Sequence, residues 1–248
     1  MTLSSSAQDV RAHAELAPTG TLRVGLIEAP DAGLIFVSRS QDGRPEGVTA
    51  DLSADLAQRL GLPRALTLFP NSGAAAAALQ AEAIDVSFMP VDATRRQVLA
   101  FGPGYYDLES TYLVSGASGI TDVAQVDRPG LRVLAIDGTT TLRACARTLT
   151  HTQPVAVPSV AEAVARLRAG QAEAFALSRD TLRPVLQQIP GSRIVSGGFQ
   201  QTQVAVAVPQ GRPGALACVT EWLEAAKRTG IVRRIFDAHG FGGDAVAS

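Results

Sequence analysis

Short apolar runs and helical patterns alternate along the first third of this chain. Three apolar runs predict strands, at residues 21–27, 65–69 and 84–89. Between the first two, Leu52, Leu56 and Leu60 recur at helical spacing, and Gly61 follows as a stop signal. Because strands and helices alternate with short connections, this part of the chain predicts an α/β fold with a mostly parallel sheet.

The rest of the chain repeats the alternation. Further strands are predicted at residues 131–136, 172–177 and 203–208, and further helices at 141–148, 159–170, 215–228 and 231–239. The segments 79–85 and 167–173 both contain a helix end, a tight turn, an acidic residue and the start of an apolar strand. Two lobes with similar folds would produce such an internal repeat, and so would chance in an alanine-rich chain.

The composition excludes several classes of protein. The chain has 248 residues, of which 46% are hydrophobic, and a net charge of -1. No basic stripe interleaved with aromatic residues predicts nucleic-acid binding, and no apolar run is long enough for membrane insertion. Cys145 and Cys218 lie in alanine-rich helical stretches without metal-ligand spacing. They predict small buried side chains, and neither a metal nor another cofactor is expected.

Residues 1–20 bear on the cellular location. They are polar and alanine-rich, and they lack the charged start and apolar core of a signal peptide. Two interpretations stay open: a signal peptide has been removed from this sequence, or the protein stays in the cytoplasm.

A candidate anion site follows the third strand. The polar turn Asp92-Ala93-Thr94 leads directly to Arg95, and Phe101 comes six residues later. A guanidinium presents a planar fork of donors that matches the two oxygens of a carboxylate. The amides of a helix N-terminus add further donors for an anion. The segment therefore predicts a carboxylate-binding site.

This order of residues resembles the amino-acid-binding family (family 3) of type II periplasmic solute-binding proteins, which serve bacterial ABC importers. Arg95 takes the place of the family arginine, and Phe101-Gly102-Pro103-Gly104-Tyr105 stands where the family has Phe-Ser-x-Pro-Tyr, with Gly102–Gly104 expected as a turn. The resemblance implies an α/β fold with two lobes, each a mixed, mostly parallel sheet flanked by helices. It also implies a periplasmic monomer that captures a small carboxylate-bearing metabolite, an amino acid or related organic acid, between the lobes and hands it to an ABC permease.

The resemblance also implies a division of the chain. Residues 1–19 are expected to be a tail, residues 20–106 and 204–248 to form the first lobe, and residues 107–203 to form the second. The hinge crossings are expected near 106–109 and 200–203. Cys145 and Cys218 then fall in different lobes, which argues against a disulfide.

The site residues that the resemblance implies come from both lobes. Gly138, Thr139 and Thr140 match family residues that donate to the ligand carboxylate, while Asp92 stands where the family has a threonine. Ser178 occupies the position of the aspartate that binds the α-ammonium group. The remaining candidate contacts are Asn71 and Ser72 at an aromatic stacking position, Met89 at a strand end, and Glu109 on the first crossing.

Two alternative functions stay open. Some relatives on this scaffold are dehydratases that act on prephenate-like acids, where a cleft carboxylate is the general acid. Glu28, Glu109 and Glu173 are the candidates for that role, and no histidine is placed to support them. The other alternative is a cytoplasmic ligand sensor, which the polar N-terminus favours. Because Ser178 carries no charge for an ammonium group, either Asp180 or Glu109 substitutes for the family aspartate, or the ligand is not an ordinary α-amino acid. On the second interpretation, common α-amino acids are expected to bind weakly.

Overall fold

The computed structural model describes residues 7–29 and 35–247, with side chains from residue 12 onward. Its strands are β1 (Leu22–Ile27), β2 (Ser38–Arg39), β3 (Pro45–Glu46), β4 (Arg64–Phe69), β5 (Val86–Pro90), β6 (Leu99–Val114), β7 (Val133–Ile136), β8 (Pro154–Val157), β9 (Ala174–Ser178), β10 (Arg193–Ile194) and β11 (Gln200–Pro209). Its helices are α1 (Ala7–Leu16), α2 (Val48–Leu60), α3 (Ser72–Gln80), α4 (Ala93–Arg96), α5 (Thr140–Thr148), α6 (Val160–Arg168), α7 (Arg179–Leu186), α8 (Pro213–Arg228) and α9 (Ile231–Ala238).

One sheet runs through the molecule in the order β4-β1-β5-β11-β6-β9-β7-β8, and β10 pairs with β6. At one end β1 is parallel to β4 and β5, and at the other end β7 is parallel to β8 and β9. The long strands β6 and β11 lie between these groups, antiparallel to each other. The predicted α/β fold, with a mostly parallel arrangement in each lobe, is confirmed.

Buried apolar side chains form separate clusters on the two sides of the sheet's middle. One cluster draws on residues 16–108 and 204–241. Two others draw only on residues 112–199. β6 and β11 pass from the first cluster to the others, so these two strands connect the lobes. The exact lobe boundaries and hinge crossings given above stay predictions.

The N-terminal segment differs from the expected tail. Residues 7–16 form α1, which packs against α8, and Leu16 is fully buried. The Glu15 carboxylate accepts a hydrogen bond from the Gly214 amide at 2.6 Å, and the Glu15 carbonyl accepts one from Arg212 at 3.2 Å. A short polar helix gains its stability from such tertiary contacts, which local sequence does not reveal. Residues 1–6 of the predicted tail lie outside the described residues.

The predicted turn at Gly102–Gly104 is wrong, because β6 continues through it. The pairing of β6 with β11 shifts register between Val204 and Ala207, opposite this glycine-rich stretch. A Cβ at Gly104 would lie 2.8 Å from the Cβ of Gln203, which cannot move away without its backbone, so the strands approach this closely only with glycine there. Glycine and proline inside a strand pattern mark an irregular strand here, not its end.

The buried Asp85 is expected to be a major contributor to stability. It accepts hydrogen bonds from the backbone amide and the guanidinium of Arg23 at 2.6–3.0 Å, and Arg212 lies 3.6 Å away. Asp85→Ala should lower the free energy of unfolding by about 3 kcal/mol, the lower end for a broken buried pair, since Arg23 can partly rehydrate. Denaturant titration measures the loss, and Asp42→Ala, which breaks the exposed pair with Arg44, should cost less than about 1 kcal/mol. Equal effects of the two variants would contradict this assignment.

Candidate ligand-binding site

A cavity of about 300 Å³ lies between the lobes, at the carboxyl ends of parallel strands. Its first-lobe wall comes from the residues after β1 and β4, and its second-lobe wall from the starts of α5 and α6 and the end of β9. Ligands of open α/β sheets bind at this edge. The volume is at the small end of the range for ligand pockets, which fits a small metabolite.

The lining is mainly apolar and hydroxyl-bearing. Its apolar side chains include Ile27, Phe36, Leu108, Ile136, Val160 and Leu177. Glu28 is the only charged residue among the described residues that line the cavity. It accepts hydrogen bonds from the Arg39 guanidinium at 2.5 Å and 3.3 Å. Among the described residues, the cavity therefore offers neutral donors and one carboxylate that is already paired.

The start of α3 presents Ser72 to the cavity. Asn71 caps this helix, with its side chain accepting from the Ala74 amide at 2.9 Å. Ser72 is 5% exposed, and its Oγ accepts a hydrogen bond from Arg95 Nη2 at 2.7 Å. Within the described part of the chain the Ser72 O–H has no acceptor, so it can donate to a ligand.

Arg95 lies behind Ser72 and is not a lining residue. Its side chain is buried, and it donates to the Pro90 carbonyl at 2.6 Å and to the Gly138 carbonyl at 3.1 Å. Burial and then the positive charge of Arg143 lower the pKa of Arg95 to about 10, so the guanidinium stays charged at neutral pH. Arg95 contacts the cavity lining through its hydrogen bond to Ser72.

Asp92 is not in the cavity wall either. One carboxylate oxygen caps α4 by accepting from the Arg95 amide at 2.8 Å. The other accepts from Arg143 Nε at 2.8 Å and from Arg143 Nη2. Burial favours the neutral form, but the hydrogen bonds and the positive charges outweigh it, and the pKa of Asp92 lies below its usual value. A cationic ligand group would have to compete with Arg143 for this carboxylate.

The start of α5 contributes the corresponding hydroxyl from the second lobe. The O–H of Thr139 is already committed, since it donates to the Ile136 carbonyl at 2.7 Å, while its oxygen accepts from the Leu142 amide at 3.1 Å. Thr140 is 2% exposed and lines the cavity, yet its hydroxyl has no partner among the described residues. Gly138 precedes them with a φ of 69°, a left-handed conformation that favours glycine. Among the described residues, Thr140 therefore has a hydroxyl on this side that is available to donate.

Ser178 lines the cavity at the end of β9, and no carboxylate of the described residues lines the cavity beside it. Its hydroxyl and that of Thr181 lie 2.6 Å apart and bond to each other. Asp180 is the nearest acidic residue along the chain, but it accepts a hydrogen bond from the Tyr106 hydroxyl and lies 3.4 Å from Arg183. No uncommitted carboxylate among the described residues replaces the aspartate of the family at this position.

The structure separates the remaining candidates from the cavity. Met89 is fully buried in the first-lobe core, and Glu109 pairs with Arg179. Glu173, which was considered as a general acid, pairs with Arg132. Of the three general-acid candidates, only Glu28 lines the cavity. The ligand-binding roles of all the candidate residues stay predictions.

Some lining residues were missed by the sequence analysis. Ser159 was identified only as the start of a predicted helix, although a helix that begins at a strand's carboxyl end also faces the ligand edge. Thr141 and Thr181 gave no separate signal. Among the described residues, no group of three or more His, Cys, Asp or Glu side chains is placed to hold a metal ion. No helix in the described ranges is long and apolar enough to span a bilayer.

The family model of bacterial extracellular solute-binding proteins, family 3, matches residues 30–242. The chain belongs to this family. No curated protein sequence matches it. The family assignment predicted from the Arg95 segment is confirmed.

Solved structures with the same fold cover most of the chain. A mutant of ArgBP from T. maritima is 24% identical with a TM-score of 0.79, over 92% of this chain and 98% of that one. The ancestral amino acid-binding protein AncCDT-1, described as a precursor of cyclohexadienyl dehydratase, is also 24% identical, with a TM-score of 0.78 and the same coverage. A binding component of an ABC transporter from Wolinella succinogenes, complexed with lysine, is 21% identical with a TM-score of 0.77, over 89% of this chain and 96% of that one.

The unpartnered Thr140 hydroxyl predicts different effects for two adjacent substitutions. Thr140→Val should change the free energy of unfolding by less than about 0.5 kcal/mol, because no protein hydrogen bond is lost. Thr139→Val removes the helix cap and should cost about 1 kcal/mol. Thermal and denaturant unfolding of both variants measure the difference. A loss for Thr140→Val as large as that for Thr139→Val would show that the Thr140 hydroxyl has a structural role.

Proposed function

We propose that this protein captures a small carboxylate-bearing metabolite with a mainly apolar body in the cavity between its lobes. One observation carries the proposal: α3 and α5, from opposite lobes, begin at the same cavity, and each presents a buried hydroxyl whose O–H has no acceptor among the described residues. Helix N-termini favour anions through their free amides and dipole. Ser72 and Thr140 are the proposed donors to the carboxylate.

Arg95 is proposed to act on the carboxylate from behind Ser72. Because Ser72 Oγ accepts from the guanidinium, its own proton is directed away from Arg95. A hydroxyl polarised in this way is a stronger donor. The positive charge also lies on the side of the cavity where both helices begin. This role keeps Arg95 in the binding machinery, although it need not touch the ligand.

The ligand is proposed to lack an α-ammonium group. At Ser178 the cavity offers two hydroxyls that bond to each other, and the Asp180 carboxylate is committed to Tyr106 and Arg183. A buried ammonium without a charged partner is strongly disfavoured. Glu28 is available only in competition with Arg39. A monocarboxylate with an apolar body satisfies the donors and the walls without leaving a buried cation.

The captured ligand is proposed to be delivered to an ABC permease outside the cytoplasm. The family comprises extracellular proteins, and a structural relative is the binding component of an ABC transporter. Two lobes that open and close by hinge motion can take up a ligand and release it to a membrane partner without covalent chemistry. A periplasmic monomer is the form proposed here.

Calorimetry can test the ligand class directly. The ligand-stripped protein is titrated with valerate, benzoate and phenylacetate, and with the common α-amino acids. At least one monocarboxylate is expected to bind more tightly than any α-amino acid, since a missing buried ion pair costs about 3–5 kcal/mol, more than two orders of magnitude in affinity. Submicromolar binding of an unmodified α-amino acid to the native protein would refute the proposed class.

Ser178→Asp supplies the missing carboxylate and sharpens the test. This variant should gain affinity for α-amino acids and lose affinity for the monocarboxylates. Ser159→Asp is the matched control, because Ser159 also lines the cavity, is exposed, and keeps a capping side chain as aspartate. The control adds the same charge away from Ser178 and should not create α-amino-acid binding. Equal gains in both variants would contradict a specific ammonium position at Ser178.

A further inference from the structure

Beside the cavity, the lobes are joined by an ion pair. Asp92 lies at the start of α4 in the first lobe, and Arg143 lies on α5 in the second. Arg143 Nε donates to Asp92 Oδ2 at 2.8 Å, and Arg143 Nη2 donates to the same oxygen. The Asp92 side chain is 9% exposed and that of Arg143 29%. Partial burial makes this pair less screened by salt than a surface pair.

A second polar contact crosses the cleft next to this pair. Arg95 Nη2, from the first lobe, donates to the Gly138 carbonyl of the second lobe at 3.1 Å. Arg143 Nη1 lies 3.4 Å from the same carbonyl. One carbonyl at the start of α5 thus receives guanidinium groups from both lobes. Opening the cleft would remove one of the three hydrogen-bond acceptors of the buried Arg95.

The two lobes come this close because Gly73 and Gly138 are in direct backbone contact. A Cβ placed on Gly73 would lie 2.8 Å from both the Cα and the carbonyl oxygen of Gly138. Real Cβ atoms are not found so close to backbone atoms, so the lobes reach this separation only without a side chain at Gly73. The starts of α3 and α5 therefore meet directly, and the ion pair and the arginine contact lie next to that meeting point.

We propose that Asp92, Arg143, Arg95 and the Gly138 carbonyl form a latch that holds the lobes closed without a ligand. Every partner in these contacts is a protein atom, so the closed state has its own stabilisation. A ligand shifts an opening equilibrium only by its differential affinity for the two states. Here the closed state is favoured before the ligand arrives, and the ligand enters through a minor open population. The latch does not depend on the class of ligand.

The latch has a consequence for the ligand proposed above. An apolar monocarboxylate makes few polar contacts with the two lobes, so it contributes little to stabilising the closed state. When closure is supplied by the latch, such a ligand needs only to fit the closed cavity. The latch also slows entry, because binding waits for opening.

Small-angle X-ray scattering of the ligand-free protein tests the latch. The protein is unfolded, dialysed to remove any bound ligand and refolded before measurement. The native chain should scatter as calculated from the closed structure. Arg143→Met should show a larger radius of gyration, because the cross-lobe pair is lost. Arg147→Met is the control: Arg147 is exposed on the same helix, has no partner among the described residues, and should scatter like the native chain.

Gly73→Ala provides a second route to the same result without changing any charge. Its methyl group would hold the starts of α3 and α5 apart, so this variant should also expand. Circular dichroism and cooperative melting establish that each variant is folded, and Gly73→Ala decides the question if Arg143→Met does not fold. The proposal is overturned if the stripped native protein is already as expanded as the variants. It is also overturned if folded variants scatter like the native protein.

Discussion

The pairing of β6 with β11 fixes the position of everything else in the cleft. The two strands pair from Ser110 opposite Gln200 to Leu99 opposite Pro209, across both lobes. β5 joins this ribbon on one side and β9 joins it on the other, so the parallel strands of each lobe extend from the same two strands. Residues at their carboxyl ends therefore face one another across a single cavity. The register shift after Val204 adds local twist at the point where the ribbon passes between lobes.

The charges around the cavity are satisfied mainly by one another. Four carboxylates near the cleft each have an arginine partner, and the buried Arg95 has three neutral acceptors. The carboxylate–arginine pairs are Glu28–Arg39, Asp92–Arg143, Glu109–Arg179 and Asp180–Arg183. In the proposed function, selection of a ligand therefore depends on hydroxyls, helix amides and apolar shape. Such a site would differ from one that places a free carboxylate against an ammonium group.

The elements of the fold were largely predictable because each depends on local pattern. Strands such as β5 and β9 are buried on both faces and appear as continuous apolar runs. The helix α1 was not predictable in the same way, since it is stabilised by α8, nearly 200 residues further along the chain. The continuation of β6 through Gly102–Gly104 depended on its pairing with β11, which local sequence does not contain.

The candidate site was predictable in its location but not in its contacts. The position of Arg95 after β5 placed it at the ligand edge of the sheet. Its partners, however, come from Ser72, 23 residues earlier, and Gly138, 43 residues later. The pairing of Asp92 with Arg143 spans 51 residues. Tertiary geometry decides which charged side chains pair across the cleft. The sequence therefore identified the charged residues but not their partners.

A crystal structure with a bound monocarboxylate is the decisive test of the proposed binding mode. The carboxylate should lie within hydrogen-bonding distance of the Ser72 and Thr140 hydroxyls, with the apolar body of the ligand against Ile136 and Leu177. A carboxylate held directly by a turned-out Arg95, with Ser72 and Thr140 uninvolved, would contradict it.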